Sequence, residues 1–437
     1  MNKKEHFFYK MFKYRKINIS IILIFSLALS LAIISACSKQ VKEEKTVKHN
    51  ENINRSTIIE NLKNIRETHD KNISILCMGD LLIGHNVEKI IECSNPRYPF
   101  MKLEDEFKKY DIVFANLETS ITKRGDAHES KPYTFRIKYK NAIYLRSLKI
   151  DVVSVANNHL LDFGVKGMYD TLMYIRDWGI KYSGAGIDLK NARKPSILRR
   201  KGVNVIFLSY CERPPMDFYA TDKKPGTAPL NLKYIEEDIK KYKKKDNIVL
   251  ISLHWGIQSA KYPRKDQVKK AHKIIDAGAD GIIGHHTHVP QGIEIYKGKP
   301  IIYSLGNLIS GFYSPRHKDN IMVVLRYWKN QIINFEVIPI TGQNFDMHFQ
   351  PYILKGKRAV KSLNRIIEIS NKFKTKMVIN KGRLVASVPL WDGKEIKKDV
   401  AITKDKKFKI ESEFKTMVKT DINSEIRSKI KSKITSP

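Results

Sequence analysis

Cysteine, acidic residues and long apolar runs are all scarce in this 437-residue sequence. The four cysteines form no C-x-x-C pair, which argues against a zinc ribbon or a thioredoxin-type redox motif. The 45 acidic residues face 80 Lys and Arg, which gives a net charge of +35 at pH 7. The 42% hydrophobic content is too high for a disordered chain and too dispersed for a polytopic membrane protein. The excess positive charge indicates an anionic partner, whether nucleic acid, a membrane surface or an acidic polymer.

The N-terminus has the three parts of an export signal. A basic segment precedes the chargeless stretch ISIILIFSLALSLAIISA, which ends in small residues directly before Cys37. This pattern resembles a bacterial lipobox and predicts that residues 1–36 are removed and that Cys37 is lipidated. A retained membrane anchor is the alternative, because the apolar stretch is nearly long enough to span a bilayer. Both interpretations predict a protein tethered to the extracytoplasmic face of the cell membrane, and they argue against nucleic acid as a partner.

The rest of the chain divides into three parts by composition. Residues 37–70 are rich in Lys, Glu and Asn, which predicts a solvated spacer. In residues 71–350, short apolar runs alternate with helical patterns such as VKGMYDTLMYIRDWGI, which is typical of buried strands in a layered α/β domain. Residues 351–437 are denser in lysine and are predicted to form a basic, helical C-terminal extension.

Polar side chains stand where several predicted strands end, the position at which functional residues gather in layered α/β folds. Any one of them has an ordinary alternative, such as a turn or a buried core histidine, but their recurrence at five strand ends favours a metal site. Carboxylates, an amide oxygen and imidazoles suit Mn, Fe or Zn, whereas Ca and Mg prefer oxygen ligands alone. We therefore predict one or two divalent ions among these strand-end residues: Asp80, Glu118, Asn158, His159, His254, His286 and His288.

The ordered motifs GD, NLET, ANNH, LHWG, GHHTHV and SLGN resemble those of the CapA family of bacterial capsule-biosynthesis proteins. That family looks like a branch of the calcineurin-like metallophosphoesterase superfamily. The resemblance covers roughly residues 71–350 and implies a four-layer α/β/β/α sandwich with a dinuclear metal site at one end. Family members are associated with the synthesis or attachment of poly-γ-glutamate capsule, which makes an acidic capsule polymer and membrane-bound synthase subunits the expected partners.

The resemblance also implies a role for each strand-end residue. Asp80 and His288 are expected to bind the first metal, and Glu118 is expected to bridge both metals. The second metal is expected to take the remaining three donors, which are Asn158, His254 and His286. His159 is expected to be the general acid of a two-metal hydrolysis, with a pKa near its ordinary value so that it can protonate a leaving oxygen at neutral pH.

The sequence departs from the superfamily pattern at two motifs. Where an Asp-x-His motif is usual, Leu82 replaces the histidine, and the nearest imidazole belongs to His85, which is a possible extra ligand. The NLET motif offers either Asn116 or Glu118 as the bridging ligand. We prefer Glu118 because a bridge between two cations needs negative charge. Both departures leave open whether both metal positions are filled.

Two further residues are weaker candidates for contact with substrate. Arg136, in the segment KPYTFRIKY, could hold an anionic group of the substrate or could be an ordinary surface arginine. Asn307, in SLGN, falls at a predicted strand end and could line the cleft.

Three functions are consistent with these features. The first is a metal-dependent hydrolase or transferase that acts in the biosynthesis or anchoring of an acidic capsule polymer. The second is a non-catalytic module that holds polyanion beside a membrane synthase, which the missing histidine at Leu82 favours somewhat. The third is a lipid-anchored phosphoesterase with no role in capsule synthesis.

Overall fold

The computed structural model describes residues 72–212, 214–313 and 318–390. The predicted signal, the lipidation site Cys37, the spacer up to residue 70 and the basic tail beyond residue 390 lie outside the described residues. Within the described residues, no helix has both the length and the apolar character needed to cross a membrane.

The strands form two large sheets and two short pairs. The strands are β1 (Asn72–Leu81), β2 (Ile112–Leu117), β3 (Ser120–Ile121), β4 (Arg136–Ile137), β5 (Val152–Ser154), β6 (Lys181–Ser183), β7 (Ala185–Gly186), β8 (Ser196–Arg200), β9 (Val203–Cys211), β10 (Gly226–Thr227), β11 (Asn247–His254), β12 (Gly281–His285), β13 (Ile293–Tyr296), β14 (Lys299–Ile302), β15 (Asn307–Ile309), β16 (Asp319–Trp328), β17 (Gln331–Thr341), β18 (Val378–Asn380) and β19 (Val385–Pro389). The first sheet has the order β18-β19-β17-β16-β1-β2-β5-β6, with β15 also paired to β1, and the second has the order β13-β14-β12-β11-β9-β8.

Helices connect the parallel strands and cover the outer faces of the sheets. They are α1 (Asn86–Cys93), α2 (Glu104–Phe107), α3 (Tyr139–Ala142), α4 (Gly164–Asp177), α5 (Leu189–Ala192), α6 (Leu232–Tyr242), α7 (Lys265–Asp276), α8 (Asn344–Met347) and α9 (Gly356–Asn371), together with 3₁₀ turns at Tyr98–Phe100, Ile143–Ser147 and Met216–Phe218.

The alternation of side chains along the strands builds the four layers. In β1, Ile75 and Cys77 enter the apolar cluster between the two sheets, whereas Leu76 and Met78 enter a second cluster that includes residues of α4. The second sheet behaves in the same way, since its outward-facing residues pack with those of α6 and α7 in a third cluster. Successive strand residues point to opposite faces, so both faces of each sheet are buried. The predicted α/β/β/α sandwich is confirmed.

The sandwich continues beyond the predicted boundary at residue 350. Leu363, Ile366 and Ile369 of α9 are buried in the cluster between the sheets. Strand β19 then pairs with β17, and β18 pairs with β19, so the first sheet gains its last two strands from this region. The folded domain therefore extends at least to residue 390.

Phe114 is expected to be critical for the contact between the two sheets. Its side chain is fully buried, and its ring stacks on Phe207 of the opposite sheet with 5.1 Å between the centroids. Replacing Phe114 with alanine should lower the free energy of unfolding by about 3–5 kcal/mol, because the cavity cannot close fully. Denaturant unfolding of the chain from Ser38 measures this. Phe345, which is 57% exposed, provides the matched control, and its replacement by alanine should cost about 1 kcal/mol or less.

Candidate metal centre

The carboxyl ends of strands from both sheets meet at one end of the sandwich. Asp80 lies near the end of β1 and is the register partner of both Asn116 on β2 and Asn307 on β15. This close approach depends on Gly79, since a Cβ there would lie 2.0 Å from the carbonyl oxygen of Gly306. On the second sheet, the last residue of β11, His254, is the register partner of the last residue of β12.

Two sets of metal-ligating atoms form at this end, and they share one carboxylate. Within each set, one ligand atom from each residue lies within 4.8 Å of the others. The first set contains Asp80, Glu118 and His288, and the second contains Glu118, His254 and His286. Asn158 lies beside the second set, because its Oδ1 is 2.6 Å from Nε2 of His254. The structure thus brings together all six residues predicted as ligands, grouped as the sequence resemblance implies.

The surroundings of Glu118 test whether a cation fits here. This side chain is fully buried, yet neither carboxylate oxygen has a hydrogen-bond partner among the described residues. Its nearest cationic candidate is Nε2 of His254, 3.4 Å from Oε1. Burial, and then the charge of Asp80, raise the pKa of Glu118 well above its usual range. A buried carboxylate without a partner is costly, and a divalent ion in either donor set would offset that cost. The residues present therefore fit a divalent metal.

Asp80 is in a different electrostatic state from Glu118. Burial alone would raise its pKa, but hydrogen bonds from His285 and His288 outweigh burial and hold the pKa of Asp80 well below its usual range. Nδ1 of His285 is 3.0 Å from Asp80 Oδ1, and the backbone N–H of His286 donates to Oδ2 at 3.2 Å. Asp80 is therefore a fixed anion that is ready to ligate a metal.

The two predicted histidine ligands after β12 have strained backbones. His286 has φ 89° and His288 has φ 59°, a region that is uncommon for residues other than Gly, although Asn, Asp and His enter it more often than most. This backbone lets the short segment place His286 in one donor set and His288 in the other. Nδ1 of His288 also lies 3.0 Å from Oδ1 of Asn307, which orients the ring. Such strain is typical of functional sites, where surrounding contacts hold it in place.

His159 lies beside the donor sets in a network of charged groups. Its Nδ1 is 2.7 Å from Asp162 Oδ2, and Lys131 forms an ion pair with the same carboxylate. Its Nε2 is 3.9 Å from Oε1 of Glu118. Burial lowers the pKa of His159 to about 4, although Asp162 acts in the opposite direction. The sequence-based expectation of an ordinary pKa for His159 is therefore wrong, because it took no account of burial.

Three residues of this site were missed from the sequence. Asp162 follows His159 by three positions in ANNHLLD, and this spacing could have identified it as the residue that orients the imidazole. His285 is the first histidine of GHHTH and was passed over beside the two predicted ligands. Lys131 is the first residue of the segment KPYTFRIKY, in which only Arg136 was considered, and its side chain reaches the carbonyl oxygen of Asn158.

The remaining candidates occupy different places. Asn116 donates from Nδ2 to Asp80 Oδ1 at 2.9 Å and lies 3.3 Å from Nδ1 of His254, so it links the two sheets rather than replacing Glu118 in a donor set. His85 is exposed, stacks on Phe312 with 5.5 Å between ring centroids, and belongs to neither donor set. Arg136 is exposed on β4, with its guanidinium 4.4 Å from the ring centroid of Phe163.

A cleft of about 610 Å³ opens beside these residues. Asn158, His159 and His288 line its floor, and Leu82 lies there at the position where the superfamily pattern has a histidine. Its walls include four aromatic side chains, namely Tyr133, Phe135, Phe312 and Tyr313. A substrate in this cleft would lie against His288 of the first donor set, Asn158 beside the second, and His159.

The chain is similar to known proteins over most of this domain. The family described as "Bacterial capsule synthesis protein PGA_cap" matches residues 74–312. The PGA biosynthesis protein CapA of Bacillus subtilis (strain 168) is 32% identical over 278 residues, which cover 63% of this chain and 73% of that protein. The capsule biosynthesis protein CapA of Bacillus anthracis is 28% identical over 286 residues, which cover 64% and 70%, respectively.

Solved structures share only a distant likeness. A hypothetical protein from Thermus thermophilus is 16% identical with a TM-score of 0.40, covering 64% of this chain and 99% of that one. A 5'-nucleotidase precursor from the same organism is 12% identical with a TM-score of 0.35, covering 63% and 55%.

Proposed function

Because the chain belongs to the bacterial capsule synthesis protein family, we propose that it acts in the biosynthesis or anchoring of a poly-γ-glutamate capsule. Its site of action is the outer face of the cell membrane, to which a lipid on Cys37 attaches it. The sequence supports this location through the signal-like segment before Cys37 and the polar residues up to position 70. Its partners are the acidic polymer and the membrane-bound machinery that makes it.

The proposed chemistry is metal-dependent hydrolysis at the carboxyl ends of the strands. Divalent ions held by the two donor sets would polarise the scissile group and lower the pKa of water. The chain itself contributes the positioning. Asp162 holds Nδ1 of His159, so a proton moves to or from this ring at Nε2, which lies on the side of Glu118 and the cleft.

One observation carries this proposal, namely the buried carboxylate of Glu118 shared by two donor sets. The test uses the chain from Ser38, elemental analysis, and capsule production by the parent bacterium. We expect a transition metal to co-purify, and we expect both Asp80→Asn and His159→Asn to abolish capsule production. His272→Asn, a change at a histidine that pairs with Glu294 on the second sheet, is the matched control and should leave capsule production unchanged.

The outcomes of this test separate the candidate functions. If no transition metal co-purifies and none binds on titration, the ligand assignment is wrong. If metal binds but capsule production survives both substitutions, the protein is not catalytic in this pathway. Loss of phosphoesterase activity without any change in capsule would instead favour a general lipid-anchored phosphoesterase.

The non-catalytic organiser is the second candidate, and Leu82 favours it. This side chain is 3% exposed and lines the cleft where the superfamily pattern has a ligand. The first donor set therefore has three residues rather than four. If the protein is an organiser, it should bind poly-glutamate in a saturable, salt-sensitive way that survives metal removal. Equal affinity for any polyanion would mean that the binding is only charge attraction.

A further inference from the structure

The end of the sandwich opposite the metal centre has an unusual set of hairpin tips. Three hairpins, β8–β9, β13–β14 and β16–β17, turn at this end, and each places a lysine in the left-handed backbone region. These are Lys201 with φ 48°, Lys297 with φ 49° and Lys329 with φ 54°. Tight hairpin turns normally reserve such positions for Gly, Asn or Asp. The recurrence of lysine at all three tips indicates that positive charge at this end is favoured despite the strain.

Contacts between the two sheets hold two of these tips, those of β8–β9 and β16–β17, against neighbouring segments at this end. Lys201 donates from Nζ to the backbone carbonyl of Asn72 at 2.8 Å, and Asn330 donates from its side chain to the carbonyl of Lys245. We define the amino-edge surface as the exposed basic residues at this end, namely Arg199, Lys201, Lys244, Lys245, Lys297 and Lys329.

The six basic residues of the amino-edge surface outnumber the acidic residues beside them, which are Asp111, Asp276 and the exposed Asp246. Lys201 pairs with Asp111 at 3.0 Å, and Lys297 pairs with Asp276 at 2.6 Å. The other four members make no ion pair with any carboxylate in the described part of the chain. Lys329 instead lies over the ring of Trp328, with its Nζ 4.4 Å from the ring centroid. A tryptophan next to unpaired lysines is a combination found where proteins meet the polar layer of a membrane.

The position of the chain entry indicates which anion this surface meets. The described domain begins at Asn72. Because Asn72 is the register partner of Trp328, it lies at the same end of the sandwich as the amino-edge surface. Cys37 is only 35 residues earlier in the sequence. The chain therefore runs from the proposed membrane attachment to the end of the sandwich that carries the amino-edge surface before it reaches the end that carries the metal centre. The metal centre lies about 26 Å away along β1 from Asn72 to Asp80, at about 3.3 Å per residue.

We propose that the amino-edge surface docks on the anionic lipid headgroups of the membrane to which the chain is tethered. This inference depends on the proposed attachment at Cys37 and gives the domain one orientation. Lysines close to an anionic leaflet are attracted within about a Debye length, which is roughly 8 Å at physiological ionic strength. Docking would point the metal centre and its cleft away from the bilayer, so substrate would enter from the outer side.

Lysine footprinting of the full-length protein in vesicles tests this orientation. The protein is reconstituted into vesicles of phosphatidylcholine alone or mixed with phosphatidylglycerol, and acetylation of each lysine is followed by mass spectrometry. We expect Lys201, Lys244, Lys245 and Lys329 to react at least about threefold more slowly in the anionic vesicles, with the difference lost at high salt. Lys89 and Lys123, which follow the carboxyl ends of strands, should react equally in both.

A pair of variants with the same change in charge provides the control. Lys244→Glu/Lys245→Glu/Lys329→Glu should abolish the protection of Lys201, whereas Lys89→Glu/Lys102→Glu/Lys123→Glu should preserve it. Equal acetylation of the amino-edge lysines in both kinds of vesicle would overturn the proposal. Protection by added poly-glutamate in phosphatidylcholine vesicles, without protection by phosphatidylglycerol, would also overturn it and assign the surface to the polymer.

The metal content of the same samples keeps this inference separate from the proposed function. A protein without metal that still shows the footprint would retain the docking surface and lose the catalytic proposal. A protein that binds metal and shows no footprint would retain the catalytic proposal and lose the docking surface.

Discussion

Replacing Glu118 with glutamine is expected to abolish metal binding and, at the same time, to stabilise the metal-free protein. The metal-free wild type buries this carboxylate with both oxygens lacking hydrogen-bond partners among the described residues. Because the pKa of Glu118 is raised by burial and by Asp80, the metal-free wild type must either bury a charge or take up a proton on folding. Glutamine removes this cost and should raise the free energy of unfolding of the metal-free form by about 1–3 kcal/mol. The wild type gains stability when metal binds, by about 4 kcal/mol at a thousandfold excess over Kd. The variant should lose that gain, because both donor sets lose their shared ligand.

Thermal unfolding with and without metal, together with elemental analysis, measures both effects. Glu294→Gln is the matched control, because Glu294 is also buried but accepts hydrogen bonds from Tyr303 at 2.6 Å and from His272 at 2.9 Å. That change should lower stability and leave metal content unchanged. A Glu118→Gln protein that binds metal as the wild type does, or that is less stable without metal, would refute the assignment of Glu118 as the shared ligand.

The second large effect is expected at His159. With a phosphodiester probe, His159→Asn should lower kcat by about 10²–10⁴, the usual contribution of a positioned acid or base. Metal content should remain that of the wild type, because His159 belongs to neither donor set. Asp162→Asn should cause a smaller loss of kcat and should shift the pH profile, because Asp162 acts through the orientation and charge of the imidazole.

The control for these two changes is Asp217→Asn, which breaks a similar His–carboxylate contact, between His128 and Asp217, on the exposed surface. It should leave both kcat and the pH profile unchanged. If His159→Asn turns over the probe as fast as the wild type does, His159 is not the residue that transfers the proton. If metal content falls together with kcat, the effect is structural.

The protonation states of His159 and Asp80 could not be predicted from the sequence. Both residues were identified from their positions at predicted strand ends, and both occupy the site. Their protonation, however, depends on burial first, and then on Asp162 for His159 and on His285 for Asp80. Asp162 is only three residues from His159, but the depth of burial is not a local property, and His285 is 205 residues from Asp80 in sequence.

The sequence by itself determined the fold class and the set of candidate ligands. Apolar runs of strand length reveal buried strands, and the polar residue at the end of each run is a local feature that needs no knowledge of pairing. Parallel strands of one sheet also place their carboxyl ends at one edge. The assignment of Asp80 and His288 to one metal, by contrast, came from the family resemblance, because these residues follow strands of different sheets.

Only the tertiary structure decided how these residues act together. It placed Glu118 between two donor sets with no hydrogen-bond partner in the described part of the chain. It also paired His159 with Asp162, placed Lys131 beside them, and left His85 on the surface. It also gathered basic hairpin tips beside the chain entry at Asn72, at the opposite end from the metal centre. These outcomes depend on distances between segments far apart in sequence, which are set by the packing of one sheet on the other rather than by any local preference of the chain.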